Sequence, residues 1–536
     1  MDHMEKGRKT EKLLIALSVT LLLGFFAVFA LINFGCFARF CEQDMYADTL
    51  AAKLMWEQKS FFPFGFVFGN QLYIIATPAV AALFYGLTGS PNTAMALATT
   101  LMSVFIMLSF AWMLKPFLKR KLSLAAAMLL LAACAFGNKL VNQEEGQLLF
   151  LMCSYYACYV ITLFVVLGDY VRSFKDSRRR LPPLALALLL CFATGMQSIR
   201  QTCIMVLPIL AFEGLGLLLE FKRQGRGALA ARRGSLSRAL GYAAANLAGL
   251  LFIRLFDVHQ YTIFSSAGAG LGQRLGDIYR ACRGISGFAW TGPEYPFFTL
   301  MFVFQAALLA LALYLQLRHI KKGGELSALW WLLLISIGAV IAAALLTSLK
   351  IRSVYLFCYY PLLALSAALA LERLPQRRGF MLALGLCLVA GLNLYYSYVP
   401  SLREGLEERE EPARQISQWA VENGYELVYG GHSFVAPAIA AHSDGRLTAG
   451  CWNDEIMFKA KEYLNLQNIY SLEDVQRAIF VFMPYELDYA REAAMNAGAE
   501  LEFHGQYGEM LVYTSTVQLM YPRTYPWFDK LWYAED

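Results

Sequence analysis

Three carboxylates crowd the stretch that follows the first long apolar run: Cys41-Glu42-Gln43-Asp44-Met45-Tyr46-Ala47-Asp48. Beyond them Leu50, Ala51, Leu54, Met55 and Trp56 recur at helical spacing, and Phe61-Phe62-Pro63 closes the segment. That spacing predicts an interfacial helix lying on a membrane surface. Carboxylates held there can activate a hydroxyl or amine of an acceptor, or hold a divalent cation such as Mg or Mn, beside a lipid-linked donor. A merely solvated polar loop is the competing reading, and position alone weighs the two evenly.

A second acidic element, Gln143-Glu144-Glu145-Gly146, stands just before Leu148. Its plain role is to cap the next helix, whose N-terminal dipole favours negative charge. Cations form a further group. Arg200 lies in Gly195-Met-Gln-Ser-Ile-Arg200-Gln201, and Lys350 and Arg352 lie in a short loop with Tyr355 opening the next helix. Cations near membrane spans are normally biased to the cytoplasmic side; placed outside, they need an anion. A lipid phosphate or diphosphate fits, and Arg binds it in bidentate fashion. Snorkelling to outer-leaflet headgroups is the alternative. The long loop from Asp257 to Tyr295 adds His259, Arg274, Asp277, Arg280, Arg283 and Glu294, with Leu271 to Ile285 patterned as an amphipathic surface helix. His259 is read either as a base or ligand or as a structural side chain. Glu213 falls inside an apolar segment, where an acid marks function or pairing with a nearby Arg.

The elements that must position these residues are membrane spans. Of 536 residues, 58% are apolar and 16% charged, against about 45–50% and 25% in soluble domains, and the mean hydropathy is +0.46. A bilayer core about 30 Å thick takes roughly 17–25 apolar residues per helix. Twelve segments qualify: Leu13 to Phe34, Leu72 to Leu87, Ala94 to Leu114, Leu122 to Phe136, Leu148 to Leu167, Leu184 to Met196, Cys203 to Leu219, Leu240 to Phe256, Phe297 to Leu315, Leu326 to Leu346, Val354 to Leu371 and Phe380 to Tyr398. The first is too long to be a cleaved signal peptide.

Basic clusters orient the chain. Lys6, Arg8, Lys9 and Lys12 place the N-terminus in the cytoplasm. The loops Arg172 to Arg180, Lys222 to Arg238, Arg318 to Lys322 and Arg373 to Arg378 follow at intervals of two segments. The loops bearing Glu144, Arg200, His259 and Arg352 are then outside, with everything after Pro400. Asp44 and Glu144 should share the outer face, yet three apolar segments separate them. One of the three is therefore not a full span, which leaves about 11 crossings; Leu72 to Leu87 and Leu122 to Phe136 are both short.

Composition shifts near Pro400, dividing the chain into a transmembrane part, 1–400, and an extracytoplasmic part, 401–536. Arg403 to Pro412 reads as a linker or short helix. Helices are expected at Gln415 to Asn423 and Tyr485 to Ala497, and strands at Leu427 to Gly430, Ala478 to Met483 and Glu509 to Thr514, a small α/β pattern. No internal repeat or low-complexity tract is present. Seven of the 11 Cys lie in or beside apolar segments. Cys36 and Cys41 allow either a bond in an oxidising compartment or two free thiols. No CxxC pair or His/Cys cluster signals zinc. A Walker motif, a GxGxxG turn and a GxSxG elbow are all missing, which argues against ATP-driven transport, a dinucleotide site and a serine hydrolase.

An acidic motif after the first helix, then a Tyr, then a small-residue helix ending near Phe-Pro, resembles the C-type-fold (GT-C) glycosyltransferases, among them protein O-mannosyltransferases and aminoarabinose transferases. The likeness covers Leu13 to Tyr398 in architecture, with its sharp motif at Glu42 to Pro63. It implies a first-loop carboxylate acting as base toward the acceptor. Asp44 matches best, two residues before Tyr46; Glu42, four before, competes, because Gln43 interrupts the usual adjacent acidic pair. The resemblance also implies that the Glu144 and Glu145 loop faces the same cavity, and that an Arg, often as Arg-Tyr, binds the donor phosphate. Arg352 and Tyr355, three apart, match loosely.

The expectation is then a polytopic α-helical membrane protein of GT-C type with a small C-terminal α/β domain, in a bacterial plasma membrane. It would move a sugar from a polyprenyl-phosphate donor to a glycan, lipid or protein acceptor on the extracytoplasmic face. Asp44 or Glu42 would deprotonate the acceptor, the anomeric centre would invert, and Arg200, Lys350 and Arg352 would neutralise the leaving phosphate. A divalent metal is optional, and nucleic acid is no partner. The rivals are a lipid-linked glycan polymerase or ligase and a non-enzymatic transporter or sensor. A transporter would show two similar halves with matching broken helices, and none is seen.

Overall fold

The structure, a computed structural model, describes residues 2–133, 149–174, 181–225, 227–256, 258–260, 270–287, 295–319, 324–347, 349–407, 411–431, 434–453, 456–461 and 463–521. Its helices are α1 (Asp2–Gly35), α2 (Gln43–Glu57), α3 (Thr77–Thr88), α4 (Pro91–Leu114), α5 (Lys121–Ala132), α6 (Ala157–Arg172), α7 (Leu181–Gln197), α8 (Leu207–Gln224), α9 (Gly227–Phe252), α10 (Leu271–Ser286), α11 (Tyr295–Arg318), α12 (Glu325–Leu346), α13 (Tyr359–Arg373), α14 (Gln376–Asn393), α15 (Val399–Leu406), α16 (Pro412–Glu422), α17 (Ala436–His442), α18 (Leu472–Val475) and α19 (Leu487–Asn496). The strands are β1 (Phe66–Val67), β2 (Leu427–Gly431), β3 (Thr448–Asn453), β4 (Ile456–Ala460), β5 (Asn465–Leu466), β6 (Ala478–Phe482), β7 (Leu501–Tyr507) and β8 (Met510–Ser515).

Every apolar segment read from the sequence contains a helix among its described residues. Among those residues, eight helical stretches are long and apolar enough to cross a bilayer: Glu5–Gly35, Pro91–Phe117, Thr202–Gln224, Gly227–Leu255, Thr299–Arg318, Glu325–Leu346, Ser353–Arg373 and Gln376–Leu406. Shorter apolar helices are Thr77–Thr88, Lys121–Ala132 and Leu181–Gln197. The chain is polytopic, as its composition requires.

Two compact units form. The first holds Met1–Ala30, Leu101–Phe256 and Phe264–Leu402; the second holds Leu31–Thr100, Asp257–Ile263 and Arg403–Asp536. The C-terminal segment therefore does not stand alone, because the acidic stretch after the first helix folds with it.

In the first unit, glycines let α7 and α9 touch backbone to backbone. A Cβ on Gly195 would come within 2.2 Å of the Asn246 carbonyl oxygen, and one on Gly249 within 2.1 Å of the Phe192 carbonyl oxygen. Small residues at such crossings let van der Waals packing and interhelical hydrogen bonds join helices that lipid cannot drive together. Asn246 Nδ2 adds a bond to the Cys191 carbonyl at 3.1 Å. The intramembrane acids are paired. Asp169 accepts from Arg238 Nε at 3.0 Å and Tyr242 Oη at 2.5 Å. Glu213 accepts from Tyr170 Oη at 2.5 Å and pairs with Arg232 at 2.9 Å, the partner its position called for.

In the second unit, a six-stranded sheet runs β4-β3-β2-β6-β8-β7. β2 pairs in parallel with β3 and β6, and the outer pairings are antiparallel. Tyr429, Trp452, Phe480 and Phe482 are its buried centre. The expected strands at 427, 478 and 510 are present; β3, β4 and β7 were not foreseen. α2 forms, but its expected place on a membrane surface is not what its burial describes. Gln43, Asp48 and Thr49 are buried together with Met45, Leu50 and Met55, because α3 and α17 pack against it. Trp56 of α2 lies over Gly86 of α3, where a Cβ would fall within 2.2 Å of the indole. Cys36 and Cys41 are both buried free thiols rather than a disulfide.

Candidate functional site

The carboxylate helix belongs to the second unit. Glu42 is the N-cap of α2, in extended conformation, and Asp44 sits in the first turn, where the unpaired N–H groups favour a negative charge. Both are half-buried. Asp48 follows one turn later on the same face and is 3% exposed. Burial pushes the Asp48 carboxyl well above the usual carboxylate range, a bond with the Tyr73 side chain opposes this, and the Asp44 charge adds to the rise. Two acids four residues apart thus differ in burial. Tyr46 serves the fold instead, because its buried hydroxyl accepts from the Ala449 N–H of β3 at 2.7 Å. Gln43 Nε2 donates to the Leu464 carbonyl, just before β5, at 3.3 Å, so side chains flanking Asp44 tie the helix to the C-terminal segment.

His259 joins this unit through its backbone. Its carbonyl accepts from Phe68 N at 2.9 Å, and Gln260 Nε2 donates to the Gly69 carbonyl at 2.9 Å. The imidazole is half-buried. A cation that the sequence reading passed over, Lys461, is 7% exposed here, with its ammonium 5.0 Å from the centre of the Tyr463 ring. A lysine in a strand-rich segment carries no local signal of burial, so only its fold neighbours could reveal it.

The cationic centre belongs to the first unit. The guanidinium of Arg200 lies 5.4 Å from the Tyr156 ring and 5.4 Å from the Tyr355 ring. Arg200 follows the end of α7 and precedes a π-helical turn, Thr202–Val206, a feature frequent at functional sites. Tyr156 caps α6 and Tyr355 lies in the 3₁₀ turn Ser353–Leu356 before α13. The Arg200 loop is further held by Tyr159, which bonds the Gln197 and Ser198 side chains. Arg200 and Tyr355, both singled out as phosphate ligands, are thus brought together, and Tyr156 and Tyr159 are added to them. Lys350 and Arg352 are exposed on the strand-like approach to the same turn; the Tyr355 N–H bonds the Arg352 carbonyl at 3.1 Å.

Arg280 is elsewhere, paired with Asp277 on α10. Glu144, Glu145 and Glu294 lie outside the described residues. Among the described residues, no group of three or more His, Cys, Asp or Glu side chains could hold a metal ion.

Solved structures match this architecture. ArnT from Cupriavidus metallidurans in the apo state aligns with 94% of this chain and 99% of its own, at a TM-score of 0.52 and 11% identity. The chain has the ArnT fold. The same protein bound to undecaprenyl phosphate aligns over the same shares, at a TM-score of 0.50 and 12% identity. This is the GT-C architecture that the first-loop motif implied. No protein-family model matches the sequence, and no curated protein does.

Proposed function

We propose that the chain is a membrane glycosyltransferase that moves a sugar from a polyprenyl-phosphate donor to an acceptor on the extracytoplasmic face. The observation that carries this reading is the Arg200 guanidinium between the Tyr156 and Tyr355 rings, in a chain with the fold of a protein that binds undecaprenyl phosphate. A guanidinium stays charged at any physiological pH and can bond a phosphate in bidentate fashion, and here it lies within cation–π range of two rings. Lys350 and Arg352 add positive charge on the approach to Tyr355.

The reaction is a single displacement. The acceptor oxygen or nitrogen gives its proton to Asp44, with Glu42 as the competing base, and bonds to the anomeric carbon. The bond from that carbon to the donor's phosphate oxygen breaks, inverting the centre and releasing polyprenyl phosphate. Charge growing on the departing phosphate is met by Arg200, Lys350 and Arg352. Asp48, held toward its neutral form by burial, acts as a hydrogen-bond donor beside the base. A divalent cation, Mg or Mn, is an option and not a requirement.

The orientation follows if α3 is the segment that does not cross. At 12 residues it spans about 18 Å, short of the roughly 30 Å core, and it packs on α2 in the second unit. α5, equally short, packs instead on the buried span that contains α13. With α4 entering and α5 returning, about 11 crossings remain, and Asp44 lies on the outer side that the basic clusters require. The test is sugar release from radiolabelled polyprenyl-phosphate sugar by purified wild type and Asp44→Asn. Wild-type release with a loss of two or more orders of magnitude in the variant is expected. Equal turnover removes Asp44 as base, and no release by either removes the transferase reading.

A further inference from the structure

We infer that α10 is an interfacial helix, with one sector buried against the protein and a second immersed in the lipid of the leaflet at the Arg352 end of the spans. The helix divides into three sectors at about 100° per residue. Arg274, Ile278, Ala281 and Ile285 face inward and are buried or half-buried. Leu271, Leu275, Tyr279 and Cys282 fall in an arc of about 80° next to them, yet Leu271 is 66%, Leu275 51% and Tyr279 60% exposed. Arg280 and Arg283 occupy the third, polar sector and are exposed.

The depth of this helix is fixed by its bonds. Arg274 Nη1 donates to the Leu345 carbonyl at 2.8 Å, in the last turn of the α12 span. At the other end, Gln305 Nε2, inside the α11 span, donates to the Ser286 carbonyl at 3.1 Å. α10 also packs on the Ser353–Leu356 turn that carries Tyr355. A helix tied at its start to the end of one span, and at its C-terminus to a side chain about 9 Å inside another, lies at the boundary of the hydrocarbon and dips just beneath it. There an apolar arc turned away from the protein meets acyl chains, and arginines beside it meet lipid phosphates. The occupant of the arc is therefore the bilayer itself, whose depth and charge match both exposed sectors. This assignment is independent of the transferase reading.

The test uses the full chain in lipid nanodiscs, in a Cys282→Ser background, with single spin labels at Leu275→Cys or Arg280→Cys. Collision rates with oxygen and with a water-soluble nickel chelate are measured by power saturation. The expected oxygen-to-nickel ratio exceeds one at position 275 and falls below one at 280. A ratio below one at 275 places the arc in water and overturns the inference. Shielding of position 275 from both reagents overturns it too, because protein then covers the arc.

Discussion

The backbone contact between α7 and α9 makes the sharpest demand on this fold. Gly249→Ala would put a Cβ 2.1 Å from the Phe192 carbonyl oxygen and 2.9 Å from the Met196 nitrogen; Gly195→Ala would put one 2.2 Å from the Asn246 carbonyl oxygen. These are backbone atoms that no rotamer change can clear. Ordinary contact begins near 3.4 Å, so either substitution must part the helices by more than 1 Å at the crossing. Overpacking of this kind costs about 1–3 kcal/mol. The two contacts are reciprocal and one turn apart, so the separation forced by one substitution makes room for the other. The double variant is expected to cost well under the sum of the singles, with a coupling of about 0.5–3 kcal/mol. Unfolding of the four proteins by SDS titration in mixed micelles measures each term. Strict additivity, or singles as stable as wild type, would refute the close crossing. Gly195 also lies five residues before Arg200, so Gly195→Ala should reduce activity more than Gly249→Ala does.

Further expectations concern single charges. Arg200→Lys keeps the charge but loses the flat cation against two rings; at about 0.5–2 kcal/mol per ring contact, kcat/KM for the donor should fall roughly 10- to 100-fold, and wild-type kinetics would count against the arrangement. Asp48 has a raised folded-state pKa, so its contribution to stability is full below the ordinary aspartate value and is lost as pH rises through the folded one. Asp48→Asn should match wild-type stability near pH 4 and exceed it increasingly toward pH 8 in thermal unfolding; a constant difference across that range would contradict it. Arg232→Ala leaves the 1%-exposed Glu213 without its cation, at a cost of about 3–5 kcal/mol. Adding Glu213→Gln should recover most of that loss, because the Tyr170 bond survives, and failure of this rescue in SDS titration would show the pair to be incidental.

The helices of this protein were legible because lipid acts on run length, a local property. Each of the apolar runs became a helix, and the alternation at Leu427, Ala478 and Met510 became strands. β3 was hidden because Gly450, Cys451 and Asn453 break the alternation, and it is held by parallel pairing with β2. The helix of Asp44 was also legible, but its burial was not. Leu50, Leu54 and Met55 announce one apolar face, whereas the burial of Gln43, Asp48 and Thr49 comes from packing against α3 and α17.

The sequence by itself determined a many-span membrane chain, an acidic turn after its first helix, and arginines near later helix ends. Only the tertiary structure decided which of these meet. It set Arg200 between Tyr156 and Tyr355, drawn from three separate helix ends, and it folded the Asp44 helix into one unit with the C-terminal sheet, through bonds such as Tyr46 to Ala449. Hydrophobic period and charge fix where a segment lies relative to water and lipid. They carry no record of which distant side chain fills the space beside it, and that packing decides whether a carboxyl is buried and its pKa pushed up, or a guanidinium is set within reach of two aromatic rings.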